Sequence, residues 1–134
     1  MAVRTEGGDR MVRMRDDLDI RVDEPATGLV IVRVAGEIDI LGAPLLRQCV
    51  DDRLPGACAF VLDLSGVTFF GAAGISVLVE ASAAAERLRV NWALACPPAV
   101  LRPLQVTDLA RRLPVCSEFP EAVRVATAAS PVLS

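Results

Sequence analysis

The stretch from Val61 to Ala81, VLDLSGVTFFGAAGISVLVEA, constrains the fold of this chain more than any other part of the sequence. An aliphatic run, a second apolar step and a long Ala/Val/Leu segment predict a strand, a loop and a helix in that order. The loop Gly71–Gly74 has only small residues, which let a neighbouring backbone approach the helix start. It offers no nucleophile, acid, base or metal ligand. Its spacing fits either a tight connection or a contact surface without chemistry.

These residues resemble the core signature of the STAS family, the sulfate-transporter and anti-sigma-factor-antagonist domains. The matching features are the aliphatic strand Phe60–Leu64, a turn at Ser65–Val67 and an apolar helix that begins at Gly74. Bacterial regulatory members that are controlled by phosphorylation carry Asp-Ser where this chain has Gly71 and Ala72. The resemblance therefore implies that Ala72 occupies the phospho-acceptor position, where it has no oxygen to modify.

Composition excludes several classes of function. The chain has 134 residues, of which 53% are hydrophobic and 23% charged, which indicates one folded domain. Its formal net charge of -3 offers no basic surface, so we expect no direct binding to nucleic acid. The sequence contains no His and no Tyr, which removes the commonest general base and the commonest zinc ligand. We therefore expect no enzymatic activity, no metal and no cofactor.

The sequence shows no pattern for membrane insertion or secretion. Its longest nearly apolar run, Gly66–Val79, is interrupted by Glu80 and is shorter than the ~20 residues that a membrane helix needs. The N-terminus has no apolar core of the kind found in a signal peptide. These features predict a cytoplasmic protein that does not contact a membrane.

The chain divides into a flexible N-terminal tail at residues 1–17, a domain at residues 18–129 and a C-terminal tail at residues 130–134. Alternation at Leu18–Asp23 predicts an edge strand, which we expect to pair as a hairpin with a central strand at Leu29–Ala35. The rest of the domain alternates strands with about four helices. This order predicts an α/β fold in which helices pack on one mixed sheet, consistent with a single STAS domain.

Asp39 is a second candidate functional residue. It ends the segment Gly36–Asp39, and this motif at the close of the second strand is also a feature of STAS domains. Asp is common as a turn or cap residue before a helix, here the helix predicted over Ile40–Asp52. Because Asp39 and the Gly71–Gly74 loop both follow strand C-termini, we expect them at one end of the sheet, so a partner contact is the alternative role.

The resemblance implies that the helix start and the loop before it dock an anti-sigma factor of the kinase fold. The implied contact residues are Gly71, Ala72, Ala73, Gly74 and Ser76, together with Asp39. In relatives a phosphate adds about -1.5 to -2 of charge at this surface, and such a charge is costly to bury. Ser76 lies one helical turn beyond Ala72, but a hydroxyl within a helix usually bonds a preceding carbonyl group, so we do not expect it to replace the missing acceptor.

The four cysteines are Cys49, Cys58, Cys96 and Cys116, and they form no C-x-x-C motif. Their spacing does not match a zinc or thioredoxin site. They are read either as small buried hydrophobic residues or as a redox control that replaces the missing phosphate switch. Under the second interpretation Cys116, on the last strand, is expected to be the most reactive.

The resemblance to STAS domains implies an anti-sigma factor antagonist that binds an anti-sigma factor, frees a sigma factor for transcription and acts as a monomer or weak homodimer. The alternative is a STAS subunit that binds the ATPase of a lipid-transport ABC complex. A nucleotide-binding module ranks third, because the chain has no glycine-rich phosphate loop with a lysine.

Overall fold

A computed structural model describes residues 10–15 and 17–128 of the chain. They form one six-stranded sheet in which the strands follow their sequence order from one edge to the other. The strands are β1 (Arg10–Arg15), β2 (Leu18–Ala26), β3 (Leu29–Ile38), β4 (Ala59–Phe70), β5 (Asn91–Ala95) and β6 (Val115–Cys116). The helices are α1 (Ala43–Arg53), α2 (Ala72–Leu88), α3 (Pro98–Val106) and α4 (Phe119–Ala128), with a 3₁₀ turn at Leu54–Gly56.

The antiparallel half of the sheet contains the predicted hairpin and one strand that the sequence did not reveal. β2 pairs with β3 through a turn at Thr27 and Gly28, and Gly28 has the positive φ that such a turn favours. β1 pairs antiparallel with β2 and is the edge of the sheet. The predictions of a flexible tail throughout residues 1–17 and of an edge strand at β2 are therefore wrong, because Arg10–Arg15 adds a strand outside β2. Residues 1–9 and 129–134 lie outside the described residues.

The parallel half of the sheet is centred on β4, which pairs with β3 on one side and β5 on the other. The turn predicted at Ser65–Val67 is wrong, since β4 continues through these residues to Phe70. The register against β3 shifts between Arg33 and Ala35, so the strand absorbs the extra residue in a bulge. Gly66 permits this close approach, because a Cβ atom there would lie 2.9 Å from the Ala35 Cβ atom.

Helices cover the two faces of the sheet unequally. The main core contains side chains of α1, α2 and α3 packed against β2 to β5, with Leu46, Leu78 and Leu104 fully buried. A smaller core on the second face holds Ala122 and Ala126 of α4, which packs on β4, β5 and β6. The predicted α/β fold with a mixed sheet, an N-terminal hairpin and four helices is confirmed. Among the described residues, no helix combines the length and hydrophobicity needed to cross a bilayer.

Candidate functional site

The start of α2 is fixed to the end of β3 by a backbone hydrogen bond. The Gly71 amide donates to the Ile38 carbonyl oxygen at 3.0 Å, and the Gly71 carbonyl oxygen accepts from the amides of Gly74 and Ile75. No side chain caps the helix, since Gly71 stands at the N-cap. The amides of Ala72 and Ala73 precede the first bonds within the helix, so the helix start presents donors and the positive end of its dipole.

The two glycines of the loop have different structural roles. Gly74 is buried, and a Cβ atom there would lie 2.8 Å from Ile38 Cγ2 and 2.9 Å from the Phe70 ring. Gly71 has extended backbone angles that any residue adopts, and a Cβ atom there would lie 3.3 Å from the Phe69 ring. The tight-connection interpretation of the loop therefore applies to Gly74, whereas packing does not require glycine at position 71.

The residues predicted to contact a partner lie at different depths. Ala72 and Ser76 are exposed and, four positions apart on α2, share one face of the helix. Gly71 and Ala73 are partly buried, and Ala73 packs against the main core. Gly74 lies beneath this surface. A partner approaching the helix start would therefore meet Ala72 and Ser76 first, with no charged atom between them.

Three exposed apolar side chains flank the helix start, and the sequence reasoning did not identify them. Ile40 and Leu41 follow β3 and are 78% and 59% exposed, while Phe69 near the end of β4 is 51% exposed. β3 and β4 are paired neighbours up to Ile38 and Phe70, so all three lie at the same edge of the sheet. We call Ile40, Leu41, Phe69 and Ala72 the carboxyl-edge patch. An apolar pair directly after the turn residue Asp39 is the signal that could have revealed it.

Asp39 organises the turn that carries two residues of this patch. Its Oδ1 atom accepts from the amides of Leu41 at 3.1 Å and Gly42 at 2.8 Å. Its carbonyl oxygen accepts from the amides of Gly42 and Ala43, where α1 begins. The geometry thus confirms the turn role of Asp39 and brings it to the same edge as the α2 start. Its direct contact with a partner stays a prediction.

An acidic cluster lies beside the carboxyl-edge patch. Asp17, Glu37 and Asp39 hold carboxylate oxygens within 4.8 Å of one another, and the first two residues are exposed. Two backbone amides already bind Asp39, so its carboxylate is committed to the turn. The cluster places negative charge at the margin of an otherwise uncharged surface.

The cysteines do not follow the predicted order of accessibility. Cys116 is only 5% exposed because α4 covers β6, so the prediction that it is the most reactive thiol is wrong. Burial and then the Glu121 carboxylate raise the pKa of the Cys116 thiol, an effect that Arg124 partly offsets. Burial and the neighbouring Cys116 raise the pKa of the Cys96 thiol to about 12. Cys58 is exposed, and it lies before β4 at the opposite edge of the sheet from the patch.

Cys96 and Cys116 are joined by a backbone hydrogen bond, but their side chains lie on different faces of the sheet. The Cys96 amide donates to the Cys116 carbonyl oxygen at 2.9 Å. The Cys96 side chain belongs to the main core and the Cys116 side chain to the core under α4. Side chains on opposite faces point apart, so this pair has the wrong geometry for a disulfide bond.

We expect a thiol reagent to label Cys58 in the folded protein and to leave Cys49, Cys96 and Cys116 unmodified. Cys58 is exposed, whereas the other three are buried and two of them have raised pKa values, which lowers the thiolate fraction. Intact mass should show one adduct in the folded state and four after unfolding, since the chain has four cysteines. Rapid labelling of Cys116 in the folded protein would contradict the packing of α4 on β6.

Comparisons with known proteins agree with this fold. A family model described as the STAS domain matches residues 5–122. The structure superposes on an anti-sigma factor antagonist from Mycobacterium paratuberculosis with a TM-score of 0.73 and 28% identity, covering 86% of this chain and 98% of that one. It also matches the anti-sigma factor antagonist SpoIIAA of Bacillus in its unphosphorylated form, with a TM-score of 0.62 and 14% identity over 78% of this chain and 93% of that one, a likeness of fold.

One curated relative matches part of the chain. Osmosensory protein A of Mycobacterium tuberculosis is 35% identical over 74 residues, which are 55% of this chain and 47% of that protein. The match therefore spans about half the length of that relative.

Proposed function

The chain belongs to the STAS domain family, and we propose that it is an anti-sigma factor antagonist that binds an anti-sigma factor and thereby frees a sigma factor for transcription. The observation that carries this proposal is the exposed, uncharged helix start at Ala72, flanked by Ile40, Leu41 and Phe69. The similarity to the antagonist from Mycobacterium paratuberculosis supports it. The function is one of stoichiometric binding, without catalysis.

The carboxyl-edge patch supplies the driving force for binding. Covering the exposed half of the Phe69 side chain would contribute roughly 2 kcal/mol, at the usual value per unit of apolar area. The methyl group of Ala72 lets a partner backbone approach the free amides at the α2 start. A partner oxygen in that position would satisfy these donors and interact favourably with the helix dipole. The adjacent acidic cluster favours a partner with basic residues at its margin.

The absence of a hydroxyl at position 72 has a regulatory consequence. A phosphate on the first helical residue would place about -1.5 to -2 of charge in the centre of the patch. Ala72 cannot accept one, so we propose that the patch stays competent for binding when the partner has kinase activity. Ser76 is exposed one turn further along α2. If a kinase modified Ser76 instead, the intact mass of the chain would increase by one phosphate.

We propose that redox state does not control the patch directly. Cys58 is the exposed cysteine and lies at the opposite edge of the sheet from Ala72. A modification there leaves the atoms of the carboxyl-edge patch unchanged. Partner affinity should therefore be the same before and after alkylation of the folded protein. A large loss of affinity would instead indicate that modification of Cys58 controls binding.

Capture from a native lysate tests both the partner class and the surface. We expect the wild-type chain to capture a kinase-fold anti-sigma factor, and Phe69→Ala to lower its yield at least about tenfold, because the lost apolar area lies at the contact. The matched control is Val125→Ala on α4, because Val125 is 42% exposed but lies on a helix that covers the second face of the sheet. This control should capture the partner like the wild type.

Other outcomes of the capture would contradict the proposal. Recovery of the ATPase of a lipid-transport ABC complex in place of an anti-sigma factor would identify the chain as a transporter subunit. Equal losses for Phe69→Ala and Val125→Ala would show that the carboxyl-edge patch is not the binding surface.

A further inference from the structure

The second face of the sheet carries a polar groove that the proposed function does not use. α4 packs on β4, β5 and β6, and next to it a groove of about 210 Å³ lies over β2, β3 and β4. The residues that line it are Asp19, Arg21, Arg33, Val34, Ala35, Asp63 and Gly66. On β2, the groove residues Asp19 and Arg21 alternate with Leu18, Ile20 and Val22, which face the main core. The groove is therefore separated from the helical layer of α1 to α3 by the sheet.

The strand register places the charges of the groove in a row. Arg21 is the cross-strand partner of Arg33, and Arg33 is the partner of Asp63. Asp19 forms an ion pair with Arg21 at 3.2 Å. The lining thus holds two guanidinium groups and two carboxylates. Because like charges directly opposite each other repel, the pair Arg21 and Arg33 favours a negative group between them.

Two atoms of these side chains have unused hydrogen-bonding capacity. Within residues 10–15 and 17–128, Arg33 Nε and Asp19 Oδ1 are buried and have no hydrogen-bond partner. One is a donor and the other an acceptor. A buried polar atom without a partner costs free energy, so rotation of the Arg33 or Asp19 side chain toward a ligand or water in the groove would stabilise the protein. A ligand that matches this lining would have a hydrogen-bond acceptor near Arg33 and a hydrogen-bond donor near Asp19.

The groove is held in shape by the elements around it. The Arg33 guanidinium lies over the Phe119 ring of α4, 4.8 Å from its centroid, which limits the movement of the side chain. The Asp63 carboxylate accepts from the Ser65 amide and hydroxyl within the β4 bulge. Gly66 forms part of the floor, where a Cβ atom would meet Ala35 at 2.9 Å. The positions of one cation, Arg33, and one carboxylate, Asp63, are thus restrained before any ligand binds.

We propose that this groove binds a small zwitterion of the α-amino acid class. The carboxylate of the ligand would accept from Arg33 and Arg21, and its primary ammonium would donate to Asp19 and Asp63. A ligand with only a negative charge would be repelled by the two aspartates, and a ligand with only a positive charge would be repelled by the two arginines. A quaternary ammonium has no N–H to offer Asp19. The volume is below the ~300–1,000 Å³ of typical drug-sized sites, which favours a small ligand.

The test compares L-alanine with its two half-charged analogues, propionate and ethylamine, on the full chain. We expect L-alanine to shift the Ala35 and Gly66 amide signals in nitrogen–proton correlation spectra. Each analogue should bind at least about tenfold more weakly, because it lacks one set of charge-assisted hydrogen bonds. Arg33→Met should weaken L-alanine binding by at least about the same factor.

Two further variants keep the test decisive. Asp19→Asn preserves the shape of the side chain and removes only its charge, so it serves as the test if Arg33→Met unfolds the protein. We expect it to bind L-alanine about tenfold more weakly. Arg102→Met, at an exposed position of α3, should bind L-alanine like the wild type. Absence of shifts at Ala35 and Gly66, equal binding of propionate and L-alanine, or unchanged affinity of both groove variants would overturn the proposal.

Discussion

Ala72→Glu is expected to lower affinity for the captured anti-sigma factor by at least about 100-fold, because a carboxylate at the centre of the patch would be buried without a partner. Ala72 is the first residue of α2 and is exposed in the free protein. A glutamate at that position interacts favourably with the helix dipole, by about 0.3–1 kcal/mol. The variant should therefore fold at least as stably as the wild type, and a loss of binding would not reflect unfolding.

Ala72→Gln is the matched control for this experiment. Glutamine has nearly the same size as glutamate but no charge, so we expect a loss of less than about tenfold from steric change. Affinity is measured by calorimetry with the purified partner, and stability by thermal unfolding. A loss for glutamine as large as that for glutamate would show that space, not charge, decides binding at Ala72. Wild-type affinity for both would place the interface elsewhere.

Gly74→Ala is expected to destabilise the fold by about 2 kcal/mol, in the range seen when a packed core receives an extra methyl group. The new Cβ atom would lie 2.8 Å from Ile38 Cγ2 and 2.9 Å from the Phe70 ring, and Ile38 and Phe70 are both buried. This direction is opposite to helix propensity, which favours alanine over glycine by about 1 kcal/mol in a helix interior. Denaturant unfolding at equilibrium measures the difference.

Gly71→Ala is the matched control, at the other end of the same loop. Gly71 has extended backbone angles, and a Cβ atom there would first meet the ring of Phe69, which is half exposed and able to move. Because glycine is preferred over alanine at an N-cap, we expect a loss of unfolding free energy of about 0.5–1 kcal/mol, clearly smaller than that for Gly74→Ala. A loss at Gly71 equal to that at Gly74 would contradict the assignment of the packing constraint to Gly74.

Much of the fold could be predicted because hydrophobic periodicity sets most of its elements. The alternation at Leu18–Asp23 gave β2 and its core face, and the apolar segment after Gly71 gave α2. The strand Arg10–Arg15 was missed because half of its sequence, RMVRMR, is arginine, and its pairing with β2 is a tertiary contact. The apparent turn at Ser65–Val67 is a bulge in a long strand, which depends on parallel pairing to β3.

The candidate site could be predicted in position but not in full composition. The α2 start and the Asp39 turn were found at the same edge of the sheet, as strand order requires. Ile40, Leu41 and Phe69 were missed because apolar residues are usually read as core, and only tertiary packing shows that these three remain exposed. The accessibility of Cys116 was overestimated, because only tertiary packing shows that α4, which follows it in the chain, covers its side chain.

We propose that the uncharged start of α2, which has no hydroxyl at position 72, captures an anti-sigma factor and so releases the sigma factor that it inhibits. This proposal is tested most directly by adding the purified chain and ATP to a reconstituted complex of the captured anti-sigma factor with its sigma factor, followed by size-exclusion chromatography and intact mass. We predict stoichiometric release of the sigma factor and an unchanged mass of the chain. A sigma factor that stays bound, or a chain that gains a phosphate and loses its partner, would contradict this proposal.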